Sequence, residues 1–207
     1  MGKAINVTTL FLDIGGVLLT NGWGHDFRML AAAKFKLDIN ELETRHQLAF
    51  VTYEEGRITM DEYLNRVVFW QKRDFSSAQF QQFMFGQSAP YAEMIEYIQQ
   101  LKAKYHLKIV VVSNEARELN DHRINKFQLG SFVDFFISSC FVQLRKPDAA
   151  IFKLALDIAH VRPENVIYID DVEMFVDVAR DLGIPSIHHK DYLSTSAALA
   201  SMGLYTE

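Results

Sequence analysis

Phe11-Leu12-Asp13-Ile14-Gly15-Gly16-Val17-Leu18-Leu19 is the stretch whose reading decides the fold. Thr8 to Leu12 is a short apolar, β-leaning run, long enough for a strand and too short for a membrane span. It ends on one carboxylate, Asp13, followed by a Gly-Gly pair that breaks the strand. In an open α/β sheet, ligands bind beyond the carboxyl ends of the strands, so Asp13 stands where a reactive group would stand. The glycines remove side chains there and let backbone N–H groups approach an anion. Taken alone, the stretch reads as an Asp opening an ordinary turn. Residues further along the chain overturn that reading.

Downstream, from Gly24 to about Phe85, the pattern is helical. Phe27, Leu30, Ala31 and Phe35 fall on one face of a first helix, and Leu42, His46, Ala49 and Tyr53 on one face of a second. Thr59 with Glu62 reads as a capping box opening a third helix, with Tyr63, Leu64, Val67 and Trp70 inward. Ser76 with Gln79 opens a fourth, leading into Phe80, Phe83 and Met84. Aromatic stripes at helical spacing read as the core of this block. Gly86-Gln87-Ser88-Ala89-Pro90 then punctuates the chain as a linker.

From Tyr91 onward, helices alternate with strands. Strands are expected at Lys108 to Val112, Phe135 to Ser138, Val166 to Ile169 and, as an edge, Pro185 to His188. Helices are expected at Tyr91 to Lys104, Ala116 to Gln128, Asp148 to His160, Glu173 to Leu182 and Ser194 to Met202, the last ending at Gly203. Strands separated by helices of this length imply a parallel sheet. Asp13, Ser113-Asn114 and Asp170-Asp171 then emerge on one rim.

The 207 residues suffice for a sizeable core, as one large domain or one domain carrying an insertion. A net charge of −5 gives no electrostatic reason to expect nucleic acid or an anionic membrane as partner. Cys140 is the only cysteine, which leaves no disulfide frame or cysteine metal cluster and fits a reducing compartment. The N-terminal apolar run is interrupted by Asp13 and the glycines, so it does not read as a signal peptide. Met1-Gly2 invites a myristoylation reading, but Asn6 stands where Ser or Thr is required. A cytoplasmic location is expected. Oligomeric state is open.

Four short motifs now stand in order: Asp13 after an apolar strand, Ser113 after Ile109-Val110-Val111-Val112, Lys146 in Arg145-Lys146-Pro147-Asp148, and Asp170-Asp171 after a fourth strand. Together they resemble the haloacid dehalogenase superfamily, mostly magnesium-dependent phosphatases. The resemblance implies an α/β fold with a Rossmann-like parallel sheet core, residues 1–19 and 90–207, and an inserted α-helical cap domain, residues 20–89. It implies that Asp13 attacks phosphorus and forms an aspartyl-phosphate that water hydrolyses. Charge on a phosphate must be neutralised before an anion attacks it, hence Mg2+ and a lysine. The implied ligands are the Asp13 carboxylate, the Gly15 carbonyl, Asp170 and Asp171, the last directly or through water. Ser113 and N–H groups near Ile14, Gly15 and Asn114 would hold the phosphoryl oxygens, and Lys146 would pair with both Asp13 and the phosphate. The implied substrate is a small phosphorylated metabolite.

Two positions depart from the family pattern. Gly15 replaces the Asp that commonly serves as general acid and base, a role typically worth ~10²–10⁴-fold. Phe175 replaces a common Asn of the last motif, which weakens the expected hydrogen bonds around Asp13 and the metal. Without a positioned acid, rates should fall steeply as the leaving group becomes more basic. His25, entering the cap just after Gly24, is the candidate substitute, although it also reads as a solvated loop histidine, as do His188 and His189. Arg28, Arg45 and Arg57 read as surface charges. A metal-free haloacid dehalogenase suits Gly15, since a halide needs no proton, but not the Asp170-Asp171 pair. A binding or regulatory protein that has lost the acid is the third reading, and retention of Asp13, Ser113, Lys146 and both aspartates speaks against it. Phosphonate cleavage finds no matching cap lysine.

Overall fold

Strand β1 (Thr9–Leu12) lies at the centre of one five-stranded parallel sheet. The structure, a computed structural model, describes residues 6–206, so the Met1-Gly2 terminus lies outside it. Around β1 the order is β3-β2-β1-β4-β5, with β2 (Lys108–Ser113), β3 (Phe135–Ser138), β4 (Val166–Asp170) and β5 (Ser186–His188). As expected, β5 is an edge. The sheet is buried on both faces, which is why β1, β2 and β4 read as continuous apolar runs. Leu10, Leu12, Val111 and Ile169 pack on one side with α5 (Ala92–Tyr105) and α10 (Tyr192–Ser201). Phe11, Val110, Val112 and Tyr168 pack on the other with α8 (Ala149–Ala159) and α9 (Glu173–Asp181).

The insertion between β1 and α5 consists of α1 (His25–Phe35), α2 (Ile39–Glu54), α3 (Met60–Val67) and α4 (Ser77–Gly86). Both expected capping boxes form, Thr59 with Glu62 and Ser76 with Gln79. Tyr53, Tyr63, Leu64, Phe80 and Met84 fill a core of their own, joined by Leu119 of α6 (Arg117–Lys126) and by Ala116 just before it. The chain enters and leaves this block side by side: the Thr20 N–H donates to the Ala89 carbonyl (2.9 Å) and Leu19 bridges Pro90.

Several expectations need correction. Leu30 is 53% exposed and Arg28 takes the inward place on α1, because an ion pair inside the block satisfies the arginine. Trp70 lies beyond the end of α3, 42% exposed, with the Arg45 guanidinium stacked 3.9 Å above its ring. A short helix α7 (Ser139–Val142) follows β3 without an intervening loop, where no helix was expected. The last helix starts at Tyr192, because Asp191 caps it by accepting from the Ser194 N–H.

Behind α2 the chain reverses at Gly56 (φ +65), where a Cβ would lie 2.4 Å from the Cys140 carbonyl oxygen of α7. Both the positive φ and this backbone contact demand glycine. Gly56→Ala should therefore lower stability by ~1–3 kcal/mol, read as a shifted urea midpoint. An unchanged midpoint would show that α2 does not seat tightly on α7.

Candidate active site

Strand register builds the site. Leu12 pairs with Ile169 across β1 and β4, and one step beyond, the Asp13 N–H donates to the Ile169 carbonyl (3.0 Å). Asp13 is thereby set beside Asp170 at the carboxyl ends of two adjacent strands, about 4.8 Å apart. Side chains two residues apart share a face of a strand, so Tyr168 and Asp170 point the same way. Accordingly the Tyr168 hydroxyl donates to Asp170 Oδ2.

Lys146, fully buried, enters from the loop before α8 and meets both carboxylates: Nζ lies 2.6 Å from Asp170 Oδ2 and 3.2 Å from Asp13 Oδ1. Asn114 fixes that loop from β2, donating Nδ2 to the Lys146 carbonyl (2.9 Å) and accepting the Lys146 N–H at Oδ1 (2.8 Å). Phe175 lays its ring 5.0 Å from the same ammonium. Where the family pattern has an amide, this chain gives the lysine an aromatic face.

Asp171 stands on the solvent side of Asp170. It accepts from Asn21 Nδ2 at Oδ2 (3.1 Å), and its carbonyl accepts from His188 Nε2 (3.1 Å). His188 and His189 are thus not solvated loop residues; His189 is buried and bonded to Thr195 Oγ1 (2.8 Å). The Ile14 N–H donates to Asp13 Oδ1 (2.8 Å), so it holds the carboxylate rather than standing free for an anion. Ser113 is buried beside Asp13.

Electrostatics at this rim are unbalanced. Burial pushes the Asp13 carboxyl up to about 7; Lys146 and Ser113 oppose the push, and Asp170 and Asp171 add to it. Desolvation acts against the charged lysine, but Asp13 and Asp170 outweigh it and hold Lys146 above its ordinary value. Asp13, Asp170 and Asp171 bring carboxylate oxygens within 4.8 Å of one another, with a single ammonium among them. Three carboxylates against one cation leave negative charge that a hard divalent ion with oxygen ligands would balance, so the donor set fits magnesium.

A cavity of about 310 Å³ opens over Asp13 between the rim and the helical insertion. Trp23, His46, Phe50 and Tyr53 supply aromatic wall, with Arg28, Glu54, Glu115 and Arg123 among the charged lining. His25 lines it as well, but its side chain is 60% exposed and its Nδ1 is bonded to Glu43 (2.9 Å). Arg28 is no surface charge: it is buried and bidentate on Glu43 (2.8 and 3.0 Å). Arg45 and Arg57, paired with Glu41 and Glu55, do not line the cavity. Sequence reasoning missed Asn21, Tyr168, Glu54 and Glu115. Only Tyr168 carried a signal, as the residue two before Asp170 on a buried strand.

Fold and rim together define an α/β enzyme laid out for hydrolysis. Residues 7–183 match the family model of haloacid dehalogenase-like hydrolases, and the chain belongs to that family. Flavin mononucleotide hydrolase 1 of Arabidopsis thaliana is 26% identical over 163 residues, covering 79% of this chain and 65% of its own length. The phosphorylated carbohydrates phosphatase of Thermotoga maritima is 25% identical over 134 residues, 65% of this chain and 57% of that protein. Bifunctional epoxide hydrolase 2 of Sus scrofa is 41% identical over 64 residues, 31% of this chain and only 12% of that protein. This chain therefore matches only a part of each of these relatives. A family enzyme from Bacteroides thetaiotaomicron, solved with magnesium and inorganic phosphate, shares the fold with a TM-score of 0.75 at 21% identity, covering 91% of this chain and 98% of that one. A dehalogenase structure shares it with a TM-score of 0.64 at 17% identity, covering 87% and 83%. Among the described residues no helix is long and apolar enough to cross a membrane.

Gly16 is the tightest point of the rim. Its φ is +73, and a Cβ there would lie 2.0 Å from Asp171 Oδ2. At Gly15 the nearest atom is Asn21 Oδ1 at 2.9 Å, a side-chain end that can move, and not Phe175. Gly16→Ala should lower stability by ~1–3 kcal/mol, read as a shifted urea midpoint, whereas Gly15→Ala should cost far less. Equal midpoints for both variants would contradict this placement of Asp171.

Proposed function

We propose that this chain is a magnesium-dependent phosphatase of small phosphorylated metabolites that works through an aspartyl-phosphate on Asp13. The observation that carries the reading is the convergence of Asp13, Asp170 and Asp171, the first two joined by the Lys146 ammonium, beside a cavity that Asp13 lines. Asp13, Asp170, Asp171 and the Gly15 carbonyl would hold Mg2+. Bound there, the ion would supply neutralisation of phosphoryl charge.

The chain's own residues do the rest. The Ile14 N–H and Lys146 orient the Asp13 carboxylate for in-line attack. Lys146, the Ser113 hydroxyl and the N–H groups of Gly15 and Asn114 cradle the phosphoryl oxygens. Residues 20–89 act as a cap over residues 1–19 and 90–207, excluding water during attack. Known activities of the relatives lend support: one curated relative is a phosphorylated carbohydrates phosphatase and another a flavin mononucleotide hydrolase.

Charge pairing in the cavity narrows the leaving group. Arg28 is committed to Glu43 and the Trp23 carbonyl, Arg123 to Glu115 and the Thr20 carbonyl, and Glu54 to Arg145. His46, pushed down to about 4 mainly by burial and then by Arg28, is neutral near pH 7. Among the described residues each arginine lining the cavity is thus paired with a glutamate, and the aromatic walls suit an uncharged, ring-bearing body. Gly15, which supplies no acid, favours a dehalogenase as the second reading.

Asp13→Asn should abolish turnover and retain the fold, since an amide of the same shape is no nucleophile. Chelation should abolish turnover of the unaltered enzyme. On a panel, esters of uncharged alcohols should exceed phosphoglycolate and phosphoserine in kcat/KM by at least about 10-fold, the cost of an unpaired buried charge being well above 1.4 kcal/mol. Full activity on a haloacid in excess chelator would replace the phosphatase reading with the dehalogenase.

A further inference from the structure

We infer that Glu54, carried in on the last turn of α2, is the general acid and base that Gly15 leaves unsupplied; the inference rests on the phosphatase reading. Glu54 lines the same cavity as Asp13. Arg145 grips one of its oxygens, Oε2, through Nη2 (2.7 Å) and Nε (3.2 Å), which leaves Oε1 for the cavity. Arg145 directly precedes Lys146, whose ammonium touches Asp13, so one short segment tethers both the nucleophile's cation and the Glu54 carboxyl.

The backbone around Glu54 is pinned as firmly. Its carbonyl accepts from Ser139 Oγ (2.6 Å), that hydroxyl in turn accepts the Glu115 N–H (2.9 Å), and Gly56 packs on the Cys140 carbonyl. An acid must be held to within a fraction of an ångström to be useful, and these contacts join α2 to the rim on which the chemistry occurs.

The environment also suits the role. Burial holds the Glu54 carboxyl above the usual carboxylate range, Arg145 opposing; Glu115 adds to the rise and Lys146 acts against it. The other titratable groups of the cavity serve less well. Glu115 is spent on Arg123, His46 is neutral and bonded to the Tyr63 hydroxyl, and His25 is largely in solvent with Nδ1 on Glu43. In the first step the ester P–O bond breaks as Asp13 bonds to phosphorus, and the departing oxygen keeps the electron pair and takes the Glu54 proton. In the second step water attacks the aspartyl-phosphate, gives its proton to the Glu54 carboxylate and releases Asp13 and phosphate. The acid is thereby restored and the net reaction is hydrolysis of one ester bond.

This position changes the expectation drawn from Gly15: wild-type rates should depend only weakly on leaving-group basicity. Glu54→Gln should cut kcat/KM for an alkyl phosphate by at least about 100-fold and for p-nitrophenyl phosphate by far less, since nitrophenolate departs unassisted. The basic limb of the alkyl pH profile should disappear with it. Arg145→Met keeps the acid and removes the group that lowers its pKa, so that limb should move to higher pH. Phosphorylation of Asp13 by p-nitrophenyl phosphate should persist in Glu54→Gln. Equal losses on both substrates, or a retained basic limb, would overturn the acid role and leave Glu54 a structural partner of Arg145; Glu54→Asp, with the carboxyl drawn back but present, should retain the limb and distinguishes the cases should the glutamine variant fold poorly. A wild type that turns over neither substrate would defeat the phosphatase reading itself, a result distinct from any of these.

Discussion

A single buried ammonium, that of Lys146, holds the ends of β1 and β4 together as a site. Adjacent parallel strands bring Asp13 and Asp170 side by side whether or not their charges are compensated. Lys146 at 2.6 and 3.2 Å makes that neighbourhood tenable. Removing one partner from such a buried pair typically costs about 3–5 kcal/mol, because the remaining charge stays desolvated. Much of the surrounding architecture serves this group. Asn114 clamps its main chain, Tyr168 shares its carboxylate, and Phe175 closes over it. One cation still falls short of three carboxylates. That shortfall is what the proposed divalent ion would balance.

Much of this was legible in the sequence, for a physical reason. Strands buried on both faces read as unbroken apolar runs, and a polar residue can interrupt such a run only where the strand ends. Asp13, Ser113 and Asp170 therefore announced the rim. Capping boxes at Thr59 and Ser76 are local hydrogen-bonding patterns, and both helix starts followed from four residues each. What escaped was what depends on distant partners. Arg28 reads as a surface charge until Glu43 arrives from the next helix, and the Glu54–Arg145 pair joins residues far apart in the chain. The place of Phe175 was visible and its function was not. An aromatic ring in an amide's position signals loss of a hydrogen bond, and only the geometry shows a cation beneath it.

Division of labour follows from these distances. In the proposed reaction the sheet supplies the groups that act on phosphorus, and strand register sets Asp13 beside Asp170. The helical insertion supplies the aromatic wall of the cavity, Trp23, His46, Phe50 and Tyr53. Its two crossings are hydrogen-bonded to each other beside β1, and α2 is tied a second time to the core through Glu54, Ser139 and Arg145. In the proposed reaction the rim would hold the phosphoryl group, while cavity walls that include Trp23, Phe50, Tyr53 and paired charges would meet the organic part of the substrate. Arg28 and Arg123, each paired with a glutamate, shape part of that wall.

The proposed covalent step on Asp13 can be tested directly. A reaction with p-nitrophenyl phosphate and Mg2+, quenched in acid within one turnover, should yield protein heavier by one phosphoryl group. Peptide mass spectrometry should place that group on Asp13. Turnover without any such adduct, or an adduct on another residue, would contradict nucleophilic attack by Asp13.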